Sequence, residues 1–148
     1  MDRYRQRCAY LAMHIERATG SPTVDHFVPK SADWRLVYEW TNYRLAAHCV
    51  NAKKGVLDVV DPFVVRDGWF ALDLATLEVV RGPKAPKKQH ARIERTRALL
   101  NLRPCVAQRA EYIGLYRERI IPLAHLEARA PFIASELRRQ GALAPGDA

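Results

Sequence analysis

The chain has 148 residues, 49% of them hydrophobic, three cysteines and a formal net charge of +8. That length and apolar share support one core without covalent or metal staples, and an odd set of widely spaced cysteines argues against a disulfide framework and for the reducing cytoplasm. No apolar run reaches membrane-spanning length, and no hydrophobic signal region follows the charged residues Asp2, Arg3, Arg5 and Arg7, so the expected partner is a polyanion rather than a bilayer.

In chain order, Tyr4, Cys8, Leu11 and Ile15 fall at helical spacing, which predicts an N-terminal helix ended by Thr19-Gly20-Ser21-Pro22. Thr23 to Val28 reads as a short strand closed by Pro29. Ser31 to Thr41 reads as loop or short helix anchored by Trp34, Tyr38 and Trp40 as core or finger-packing groups, with base stacking the lesser alternative, and Asn42 or Tyr43 to about Lys53 as a helix stopped by Gly55. The β-branched and aromatic residues of Asp58 to Val65 and of Gly68 to Val80 predict one or two hairpins. Helices are expected over Lys87 to Leu102, Cys105 to Ile120 or beyond, and Pro131 to Gln140. The reading is one α+β domain over 1–148, divided into an N-terminal unit at 1–55, a hairpin region at 56–82, a helical part at 83–141 and a disordered tail at 142–148.

Asp25-His26 carries the chemistry. On a strand, adjacent side chains point to opposite faces, so one can reach a cation while the other faces a water. A histidine nitrogen can take that water's proton near neutral pH, and a carboxylate with an amide carbonyl, here Asp25 and Asn51, suits a hard divalent ion with positions left for water and phosphate.

The stretches Val24-Asp25-His26-Phe27-Val28-Pro29-Lys30-Ser31, Tyr38-Glu39-Trp40-Thr41-Asn42-Tyr43-Arg44-Leu45-Ala46 and Asn51-Ala52-Lys53-Lys54-Gly55 resemble the HNH endonucleases, whose core is a ββα-metal finger. The resemblance implies that fold for the N-terminal unit and metal-dependent hydrolysis of DNA phosphodiesters. His26 becomes the general base, Asn42 the residue that positions the finger, and Asp25 with Asn51 the ligands of one Mg2+ or Mn2+ ion. His48 is a secondary candidate, three residues before Asn51. DNA is expected over RNA on the resemblance alone, and a protein partner in a defence or repair system is a further expectation.

One departure from the family concerns zinc. Many HNH proteins hold a structural zinc with two Cys-x-x-Cys pairs, but here only Cys8 stands in register, with Leu11, Ala47 and Val50 in the other places. A site patched from Cys8, His14, His48 and Cys49 fits no usual spacing, so structural zinc is not expected and apolar packing takes its role. This departure leaves a second reading, a catalytically silent nucleic-acid-binding or partner-binding module on the same scaffold. For phosphate contacts the candidates are Lys30, Arg44, Lys53 and Lys54 near the site, and Lys87, Lys88, Arg92 and Arg95 in a basic run whose bland alternative is a solvated helix face.

Overall fold

The computed structural model describes residues 5–16 and 21–147 and shows an α+β architecture. Strand β1 (Pro22–His26) pairs antiparallel with β2 (Tyr43–Ala47), and helix α1 (His48–Lys54) follows at once. A second hairpin, β3 (Phe70–Leu72) with β4 (Val79–Arg81), precedes α2 (His90–Leu100), α3 (Arg103–Arg117), α4 (Leu123–Arg129) and α5 (Pro131–Arg139). No helix among the described residues is long and apolar enough to cross a membrane.

Several local expectations change. Tyr4, Thr19 and Gly20 lie outside the described residues, and Arg5 to Glu16 contains no helix. Cys8 N–H donates to Met13 O and Ile15 N–H to Gln6 O, and Arg7 bridges His14 in antiparallel fashion. Burial falls on Cys8, Tyr10, Met13 and Ile15, an extended spacing of two broken by a turn in which Ala12 has φ 49°, and that turn defeats the helical periodicity. Tyr43 to Ala47 is strand rather than helix, because pairing with β1 in the register His26↔Tyr43 through Pro22↔Ala47 claims its backbone groups. The helix is therefore confined to His48–Lys54, ended by Gly55 at φ 47°.

Asp58 to Val65 forms no strand, so one hairpin is present in the region where one or two were expected. Its turns allow a close approach: a Cβ on Gly82 would lie 2.2 Å from Gly68 O. Side chains from the helices finish both outer edges of this hairpin. Asn101 accepts from Val79 N–H and donates to Val79 O, while Glu136 accepts from Leu72 N–H and Gln140 donates to Leu72 O, so the edges carry partners instead of open templates. The unforeseen α4 packs on α3 and α5. The expected disordered tail is ordered through residue 147: Ala144 N–H donates to Tyr116 OH, which donates to Asp147, and Ala142 to Ala144 pack on the C-terminal core.

Most buried apolar side chains among the described residues fall into two clusters. One gathers Cys8, Tyr10, Ile15, Leu45, Ala46 and Val50 with Leu99, Leu100 and Cys105, and the other joins Met13 and Leu72 to residues of α3, α4 and α5; Leu11 and Phe132 touch both. Cys8, Leu11, Ala47 and Val50, the zinc-pair positions, share the first cluster, and Cys8 Sγ accepts from Ala47 N–H at 3.5 Å. Apolar contact thus holds the N-terminal loop against the start of α1.

Candidate functional site

Helix α1 lies on the Thr23 and Asp25 side of β1. Asn51 and Lys54, one helical turn apart, project together onto that side. Asn51 donates its amide to Thr23 Oγ1 at 3.1 Å and to Val24 O at 3.4 Å. Lys54 is 0% exposed and its ammonium meets Asp25 Oδ1 at 3.0 Å, His26 O at 3.1 Å and Phe27 O at 3.2 Å. Tyr10 OH donates to the other carboxylate oxygen, Asp25 Oδ2, at 2.5 Å. Burial, then this bond to the carboxylate, pushes the Tyr10 phenol upward from its ordinary pKa, so it stays a donor at neutral pH.

Asp25, 4% exposed, therefore has a partner on each oxygen, and the cation beside it is an ammonium. A divalent ion at Asp25 and Asn51 would have to displace Lys54, so as held these two side chains do not fit a ready-made metal site. Among the described residues no group of three or more His, Cys, Asp or Glu side chains is arranged to hold an ion. Cys8, Cys49 and Cys105 do converge, with His14, His48 and His125, around one cavity of about 750 Å3.

His26 points to the other side of β1. Its Nε2 lies 3.1 Å from Val37 O, and its ring stands edge-on to Tyr43 at 5.1 Å. A carbonyl only accepts, so Nε2 carries the proton and neutral imidazole presents Nδ1 as a lone pair. Tyr43 OH donates to the same carbonyl at 2.5 Å.

The loop bearing Val37 is fixed by Asn42, which is buried. Asn42 Oδ1 accepts from Val28 N–H at 2.7 Å, and its Nδ2 donates to Val28 O at 3.0 Å and Leu36 O at 3.2 Å. One amide thus ties the chain leaving β1 to the chain entering β2, on either side of His26 and its anchor.

Two proposed phosphate contacts are corrected. Lys54 is buried in the pair just described. Arg44 is buried as well, bidentate to Asp61 at 2.7 and 3.0 Å, donating to Thr41 O and Tyr43 O, and lying between the Phe27 and Phe63 rings; its charge and donors are consumed internally. Lys30, Lys53, Lys87 and Lys88 are exposed. Arg92 and Arg95 both bind Asp58, which leaves that trio one net positive charge. His48 is exposed at the first residue of α1.

The expected core anchors are also corrected: Trp34, Tyr38 and Trp40 are 76%, 87% and 83% exposed. Sequence reasoning missed Tyr10 and Lys54 as partners of Asp25, although the Asn51 to Lys54 spacing carried half of that signal. It had no signal for the Val37 carbonyl.

No family model, no curated protein and no solved structure matches this chain.

Proposed function

We propose that this chain is an HNH-type nuclease that hydrolyses phosphodiester bonds of nucleic acid, with His26 as general base. The observation that carries the reading is the half-buried His26 ring, with Nε2 tied to Val37 O and Nδ1 without a hydrogen-bond partner among the described residues, beside a β-hairpin and helix of ββα order. Nδ1 takes a proton from water as the water oxygen attacks phosphorus, and the bond to the departing oxygen breaks with its electron pair going to that oxygen, which takes a proton from solvent water. Asn42 keeps the base and its anchor in register, a positioning role. Exposed Lys30 and Lys53 supply charge for flanking phosphates. DNA is the proposed substrate on the resemblance alone, and a protein partner and a cytoplasmic location, the latter argued from the odd, widely spaced cysteines, stay part of the proposal. Since the Mg2+ or Mn2+ ion of the family does not fit Asp25 and Asn51 as held, no step is assigned to it.

The test is nicking of supercoiled plasmid by wild type and His26→Ala in EDTA, Mg2+ and Mn2+. His26→Ala should slow cleavage by about 100-fold or more, and equal rates would remove the base assignment. The occupied Asp25 carboxylate favours a second reading, a binding module without turnover. That reading predicts a gel shift of DNA whose strands stay intact under every ion condition.

A further inference from the structure

We infer that the loop from Asp33 to Asn42 is a stacking platform for unpaired nucleic-acid bases, so that the strand presented to His26 is single-stranded or locally opened. This deepens the nuclease reading and rests on it for the identity of the partner.

Folding leaves three large aromatic rings, Trp34, Tyr38 and Trp40, in solvent within seven residues of chain. Their backbone is nevertheless tied down. Asn42 holds Leu36 O, Asp33 caps the short 3-10 turn Trp34–Leu36, and Glu39 and Asn42 N–H groups close successive turns on Leu36 O and Glu39 O. A fixed loop with outward rings lowers the ordering cost of a partner that covers them.

The rings lead to the proposed base. Trp40 stands edge-on to Tyr43 at 5.3 Å, and Tyr43 stands edge-on to His26 at 5.1 Å. Tyr38 directly follows Val37, whose carbonyl anchors the imidazole. A base on Trp40 or Tyr38 would therefore bring its own backbone toward His26.

Charge separates unpaired from paired strands. Residues 30–42 contain two cations, Lys30 and Arg35, and two anions, Asp33 and Glu39, and Arg35 is bound to Asp33. The platform thus offers π faces without a phosphate cradle, and exposed Glu39 repels phosphates between Tyr38 and Trp40. A duplex meets a surface with its phosphates and hides its base faces. An open strand turns its bases to the rings while its phosphates reach exposed Lys30 at the start of the loop. The chain's +8 charge favours this polyanion over a protein partner.

The experiment measures fluorescence anisotropy of labelled 15-nucleotide thymidine and uridine strands, and of a 15-base-pair DNA duplex, with the full chain. Both single strands should bind at least about tenfold tighter than the duplex. Trp34→Ala and Trp40→Ala should each weaken strand binding by about 5- to 100-fold, change duplex binding less than about twofold, and leave the melting temperature within about 2 °C because the side chains are exposed. Trp40→Phe should retain most of the affinity if Trp40→Ala disturbs Tyr43. His26→Ala should bind the strands as wild type does. Lost cleavage preference for His26 with intact stacking would sink the nuclease reading alone. Equal affinity for strand and duplex, or strand affinity unmoved by the Trp34→Ala/Trp40→Ala double variant, would overturn the platform, as would a protein dimer that the double variant dissolves without changing strand affinity.

Discussion

The two sides of β1 differ in what they leave available. Toward α1, Thr23 and Asp25 have their polar atoms matched: ammonium on carboxylate, phenol on carboxylate, amide on hydroxyl. Away from α1, Val24 is exposed, and His26 has one ring nitrogen committed and the other without a partner among the described residues, with an aromatic approach through Tyr43 and Trp40. A saturated polar cluster in low dielectric gives rigidity and a unique arrangement, while the half-satisfied side is where chemistry can enter. Adjacent residues of one dipeptide thus serve opposite ends.

The sharpest break of this contrast is Lys54→Met. It strands the Asp25 carboxylate in the interior and should cost about 3–5 kcal/mol in urea unfolding, whereas Lys54→Met/Asp25→Asn, which removes both charges, should recover much of the loss. A cost of less than about 1 kcal/mol would show that the pair is not buried in solution. The same cluster predicts that Mn2+ leaves the wild-type melting temperature unchanged relative to EDTA. A rise abolished by Asp25→Asn would mean that an ion does displace the lysine.

Asn42→Ala comes next, at about 2–3 kcal/mol, since it removes three hydrogen bonds and leaves Val28 N–H and two carbonyls to find new partners. Under the proposed nuclease reading its nicking rate should also fall at low temperature, where the weakened variant stays folded, because His26 and its anchor lose their common tie.

Alkaline pH tests the burial of the Cys8 and Cys105 thiols in the first core cluster. Burial raises the Cys8 thiol and pushes Cys105 up to about 12. The unfolded thiols ionise first, near their ordinary values, so above pH about 9 the unfolded state binds fewer protons and stability declines until the folded pKa is passed. Thermal melts from pH 8 to 11 should show this fall, with a shallower slope in Cys105→Ala. A flat profile would place both thiols in water.

The smallest stability effect should be His26→Gln, below about 1 kcal/mol by urea unfolding, because only one half-buried hydrogen bond is at stake. A cost matching that of Lys54→Met would erase the difference between the two sides.

Asp25, His26, Asn42 and Asn51 stood out in the sequence because the stretches that hold them resemble an HNH motif, and the alternation of a strand already put Asp25 and His26 on opposite sides. The α+β class, the hairpin near Gly68 to Val80 and three of the C-terminal helices followed from periodicity and punctuation by Gly and Pro. Tertiary structure alone decided that Lys54 turns inward to Asp25, that Tyr10 closes the other oxygen, that Arg44 is spent on Asp61, and that the aromatic residues of the loop face solvent. These choices depend on partners 15 to 29 residues away for Asp25 and 17 away for Arg44, and local pattern holds no record of which distant group arrives. A charge is neutralised by whatever packing brings within about 3 Å, and that distance belongs to the fold rather than to the residue.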